Sequence, residues 1–101
     1  MAKLYITEYA GQTRDLNGQV VPVGDEPSLA EQTPVAISGS AAVSSAFGTK
    51  TRFVRIHTDA ICSVAFGAAP TATVNSKRLA ADQTEYFGVQ PGQKVAVTPN
   101  T

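Results

Sequence analysis

Between Thr51 and Gly67 the chain reads Thr-Arg-Phe-Val-Arg-Ile-His-Thr-Asp-Ala-Ile-Cys-Ser-Val-Ala-Phe-Gly. On either side of Asp59, β-branched and aromatic residues alternate with polar or small ones, the period-two signature of strands with one buried face. With Thr58 to Ala60 as a three-residue loop, Val54 faces Val64 and Ile56 faces Cys62, while Arg55 and His57 point the other way. A two-residue loop would set Val64 against Arg55. The pattern therefore predicts a central β-hairpin with an odd loop.

The same alternation marks Leu4 to Tyr9 as a strand, with Leu4, Ile6 and Glu8 on one side and Tyr5, Thr7 and Tyr9 on the other. It dissolves after Ala10, and Asn17-Gly18 is a strong turn dipeptide because both residues tolerate positive φ. Gln19 to Val23 reads as a short strand confined to a sheet edge, since Pro22 cannot donate to a ladder. Ser28 to Glu31 has the spacing of a capping box, but Pro34 limits it to a loop or 3₁₀ turn. Gln32 to Ser38 and Ala42 to Phe47 form two strands around Gly39-Ser40. Gly67 to Lys77 is an ordered small-residue loop, and Leu79 to Asp82 suits one helical turn. Glu85 to Val89 and Lys94 to Thr98 make a last hairpin around Pro91-Gly92, a type II turn pair, and Pro99 to Thr101 should fray. Three Phe-Gly pairs, at Phe47, Phe66 and Phe87, are expected to plug one end of the core each. The count is about eight short strands with no room for an amphipathic helix. An all-β fold follows, a small antiparallel β-sandwich of jelly-roll-like type.

A length of 101 residues suits a single domain, residues 1–101, burying over ~60% of its unfolded surface. Residues 1–18 form either an N-terminal arm or a first strand plus loop. Charge is balanced at zero net with 16% charged residues, which removes the long-range field that gathers nucleic acid or anionic lipid. The same balance leaves little electrostatic resistance to self-association. Cys62 stands alone and reads as a small buried hydrophobe, so no disulfide framework is expected. The first residues do not form a signal peptide and no stretch reaches membrane-spanning length; synthesis in the cytosol is the expectation.

Candidate chemistry is sparse. His57, Asp59 and Cys62 lie close together, but no second His or Cys completes a zinc site, and no metal or cofactor is expected. Ser44 or Ser45 with His57 and Asp59 lacks the turn that exposes a nucleophile. Asp15-Leu16-Asn17-Gly18 lacks the later acidic ligand of a calcium loop. Asp25 and Glu26 solvate a Gly-Pro loop. Arg52 and Arg55 around Phe53 resemble a stacking platform for single strands, but no further basic cluster supports them. Neither an enzyme nor a small-molecule substrate is expected.

Arg52-Phe53-Val54-Arg55-Ile56-His57-Thr58-Asp59-Ala60, Val64 through Ala72, and Leu79-Ala80-Ala81 on through Glu85-Tyr86-Phe87-Gly88-Val89 to Val95-Ala96-Val97 resemble small proteins that tailed bacteriophages and prophages encode near their capsid genes. The likeness covers about half the chain and is structural, not catalytic. It implies a virion component of β-sandwich form, a decoration or cement subunit on the capsid surface. The implied partners are the major capsid protein and further copies of the chain. A head-completion, tail or fibre-attachment subunit is the nearest alternative, and a carbohydrate- or ligand-binding β-sandwich module the alternative of another class. Cement proteins need sheet edges or terminal segments that can add to a neighbour. The expected contact residues are accordingly Leu4, Tyr5, Ile6, Thr7 and Tyr9 on the first strand and Val20, Val21 and Val23 on the edge strand.

Overall fold

A computed structural model describes residues 2–100. The fold is all-β, with no helix among the described residues. The strands are β1 (Lys3–Tyr9), β2 (Gln12–Arg14), β3 (Val20–Gly24), β4 (Ala30–Glu31), β5 (Val35–Ala36), β6 (Ala42–Val43), β7 (Phe53–Thr58), β8 (Cys62–Gly67), β9 (Lys77–Leu79), β10 (Thr84–Gly88) and β11 (Lys94–Pro99). Three of them, β2, β4 and β9, lie where the sequence predicts loop or a helical turn. Each is polar or only two to three residues long, too short to show a period of its own.

The strands form two antiparallel sheets and a separate ribbon. One sheet runs β10-β7-β1-β4, with β5 also pairing β1; the other runs β6-β11-β8-β9; β2 and β3 pair only with each other. Between the sheets lies one core. Leu4 and Ile6 from β1 and Val54 and Ile56 from β7 belong to one buried cluster with Cys62 and Val64 from β8, Leu79 from β9 and Val95 and Val97 from β11.

The central hairpin is not a hairpin. β7 pairs with β1 and β10, β8 pairs with β11 and β9, and the chain between them crosses from one sheet to the other. Val54 and Ile56 do look toward Cys62 and Val64, but across the core. Alternation records which face of a strand is buried, not which strand is hydrogen-bonded beside it. Folding over in the side-chain direction lets the second strand cover the first, which buries both apolar rows at once. Thr58 shapes this corner: its hydroxyl donates to the Ala60 carbonyl at 2.6 Å and accepts from the Cys62 thiol at 3.4 Å.

The other predicted hairpins behave alike. β5 joins the first sheet and β6 the second, and β10 joins the first while β11 joins the second. The turn at Pro91-Gly92 is real, with Gly92 at φ +79° and the Gln93 amide donating to Gln90 O at 3.3 Å, but it serves as a layer crossing. Phe47 is buried, and Phe66 and Phe87 meet from opposite sheets with ring centroids 4.8 Å apart. Asn100 is held through its amide to Ile61 O and its side chain to Ser63 Oγ and Val74 O, so β11 is ordered past the point where fraying is expected. Thr101 lies outside the described residues.

Candidate functional site

Two surfaces bear on function once the core is assembled. The first is the outer face of the larger sheet. Tyr5, Thr7 and Tyr9 alternate outward from β1, and the register sets Tyr5 beside His57, Thr7 beside Arg55 and Tyr9 beside Phe53, with Thr84 and Tyr86 following on β10. Tyr5, Thr7, Glu31, Arg55, His57 and Asp59 line an open groove of about 450 Å³ on this face. The Tyr5 and His57 rings lie 6.2 Å apart in a tilted arrangement. The far end of the face is covered: Phe53 stacks on Tyr86 at 5.3 Å, and Tyr9 lies under Gly24, with no room for a Cβ there.

The second surface is the β2–β3 ribbon. Asp15 caps its turn, Oδ1 accepting from the Asn17 and Gln19 amides at 2.9 Å, and Gly18 takes the predicted positive φ of +80°. Leu16 at the tip and Val20 and Val23 along the strand are exposed, while Val21 is half-buried. At the base, the Tyr9 hydroxyl donates to Glu26 Oε2 at 2.6 Å. Burial, reinforced by that carboxylate, pushes the Tyr9 phenol up to about 12.

The expected contact residues therefore separate into three groups. Leu4, Ile6 and Tyr9 are buried within the chain, which corrects their expected place on a contact surface. β1 is an interior strand with neighbours on both sides, so it is the first strand of the sandwich and not a detached arm. Its aliphatic side fills the core, and Tyr9 anchors the ribbon. Tyr5 and Thr7 belong to the groove. Val20, Val21 and Val23 sit on the ribbon, where β3 has the single strand partner that Pro22 permits.

The remaining candidates also find places. Ser44 Oγ accepts from the Val95 amide at 3.0 Å and donates to Ser45 O at 2.9 Å, serving the second sheet while His57 and Asp59 stand on the outside of the first. Neither serine therefore stands beside the pair; the hydroxyl next to the imidazole is that of Thr84, 2.8 Å from His57 Nδ1. Cys62 points into the core, where burial pushes its thiol up, partly offset by the Thr58 hydroxyl. Phe53 is buried, so the stretch around Arg52 offers no stacking platform.

Two features escaped the sequence reading. Asp82, in the turn before β10, comes beside His57 and Asp59, and the ligand atoms of all three lie within 4.8 Å of one another. Glu8 is buried on the core side of β1: its Oε1 accepts from Thr51 Oγ1 at 2.7 Å and from the Gly48 amide at 2.9 Å, and its Oε2 from Gln32 Nε2 at 2.8 Å. Its period-two position with Leu4 and Ile6 was the available signal. No family model, curated protein or solved structure matches this chain.

Proposed function

We propose that this protein is a structural, protein-binding β-sandwich, a virion subunit of the capsid decoration type that holds to the major capsid protein and to its own copies. The observation that carries the reading is the β2–β3 ribbon, which stands outside both sheets and exposes Leu16, Val20 and Val23. Exposed apolar side chains on a rigid projection gain by being covered, and a ribbon with free backbone edges can extend a neighbour's sheet. The overall dimensions of 45 × 25 × 22 Å describe an elongated body suited to lying along a shell. Such a role calls for no catalytic step, no cofactor and no bound substrate.

The test is addition of purified chain to capsids that lack it. Saturable co-sedimentation is expected for the wild type and its loss for a Leu16→Asp, Val20→Asp double variant with an unchanged melting temperature. Absence of wild-type binding, or equal binding by the variant, refutes the proposal.

The groove favours a second reading, a module for a small polar ligand such as a sugar. Tyr5 offers a ring face, and Glu31, Arg55 and Asp59 offer hydrogen-bonding groups around it. Saturable chemical-shift changes at Tyr5 and Arg55 on titration with a glycan panel would support it, and an unresponsive groove would remove it.

A further inference from the structure

We propose that His57, Asp59 and Asp82 form a binding site for a divalent transition-metal ion of the zinc class. His57 ends the outward row of β7, Asp59 lies in the corner that leaves it, and Asp82 comes from the turn between β9 and β10. Two backbone hydrogen bonds hold these pieces together, from the Asp82 amide to Thr58 O at 2.8 Å and from the Thr58 amide to Gln83 O at 3.1 Å. The carboxylates are therefore brought side by side by the fold, not by chance placement of two mobile loops.

The imidazole is aimed as a ligand. His57 sits opposite Thr84 in the sheet register, and its Nδ1 lies 2.8 Å from Thr84 Oγ1. With Nδ1 engaged, Nε2 is left free on the side of Asp59, 3.9 Å from its Oδ1; an outer hydrogen bond of this kind is what orients a metal-binding histidine. Asp59 is fixed in turn, its Oδ2 accepting from the Lys3 amide at 3.2 Å. Charge is consistent with this assignment. Two carboxylates converge on one imidazole, and among the described residues neither has a lysine or arginine within ion-pairing distance. A divalent ion would neutralise the pair.

Size and ligand type narrow the ion. Bonds of about 2.0–2.2 Å to nitrogen and oxygen put neighbouring ligand atoms about 3–4 Å apart, so the three side chains need close by only about 1 Å, within the freedom of half-exposed rotamers. One nitrogen and two carboxylates suit zinc, cobalt or nickel, whereas calcium and magnesium prefer oxygen alone. Water would fill the remaining positions. The ion would clip the β7–β8 corner to the β9–β10 turn, and binding only the folded chain it would stabilise it.

Zinc titration of untagged, chelator-treated protein tests this by calorimetry and by thermal melting. Expected are one equivalent bound, a melting temperature that rises with zinc and falls back on chelation, and no rise with calcium. His57→Gln and Asp82→Asn should each weaken zinc binding about tenfold or more, and Thr84→Val should weaken it measurably through the ring's orientation, with metal-free melting temperatures close to wild type. No response at millimolar zinc, an undiminished response in the His57→Gln, Asp82→Asn double variant, or an equal response to calcium would overturn the proposal.

Discussion

Replacing Glu8 by alanine tests how the loops are tied to the core. The carboxylate gathers Thr51 Oγ1, the Gly48 amide and Gln32 Nε2, so one side chain serves two loops that lie far from it in sequence. Its removal strands these donors unequally. Thr51 is fully buried, and its hydroxyl loses the Glu8 acceptor at a cost of about 1–3 kcal/mol. Gly48 is more exposed and can turn partly to water, while Gln32 keeps Ser45 O at 3.2 Å. Adding the unfilled space, the sum is about 4 kcal/mol, a large part of the ~5–15 kcal/mol that holds a domain folded.

Glu8→Gln should behave differently. Its carbonyl oxygen keeps Thr51 and Gly48, and its new amide group would face Gln32 donor to donor. Gln32 Oε1 is buried without a partner, so turning the Gln32 amide over restores a bond at the expense of Ser45 O, for a net loss of about 1 kcal/mol. Urea unfolding of both variants measures the difference. The reasoning is refuted if alanine costs less than about 1 kcal/mol or if glutamine costs as much as alanine.

Four further outcomes follow from the packing. Between its ordinary 10.0 and about 12 the Tyr9 phenol keeps its proton in the folded chain and loses it in the unfolded one. That contribution is whole below pH 10 and disappears as pH rises through about 12, up to about 2–3 kcal/mol; Tyr9→Phe should remove this alkaline slope in unfolding curves and cost about 1 kcal/mol at neutral pH. A Cβ on Gly24 would lie 2.5 Å from the Tyr9 ring, whose hydroxyl is held by Glu26, so Gly24→Ala should lose about 1–3 kcal/mol. Gly39→Ala, with nothing within 4 Å, should change stability by under about 0.5 kcal/mol in the same melts. Cys62 should resist a thiol reagent until the chain opens, with labelling that tracks unfolding; fast labelling of the native protein would contradict its burial.

The sequence disclosed faces far better than neighbours. Val54, Ile56, Cys62 and Val64 were legible as one buried set because alternation reports burial directly. That β7 and β8 belong to different sheets was not, since an odd linker suits a hairpin and a layer crossing alike. Asn17-Gly18, Pro22 and Pro91-Gly92 were legible because their backbone limits are intrinsic to the residues. The buried side of Glu8 was legible from its place in the row of Leu4 and Ile6, but the donors gathered on it and the approach of Asp82 to His57 depend on partners joined only through tertiary hydrogen bonds, for which a single strand's pattern carries no trace. Tyr9 looked like a contact residue for the same reason: an outward position is exposed only if nothing later in the chain covers it, and Gly24 does.

The connections β5–β6, β6–β7, β7–β8, β9–β10 and β10–β11 each carry the backbone from one layer to the other. A molecule stitched in this way has no half that could survive alone. Neither layer is contiguous in the chain, so ordering one entails closing long loops that only the other rewards, and assembly should be slow and all-or-none. Once the seam is shut, prising the layers apart means undoing several stitches together, which gives a body of this size resistance to gradual fraying.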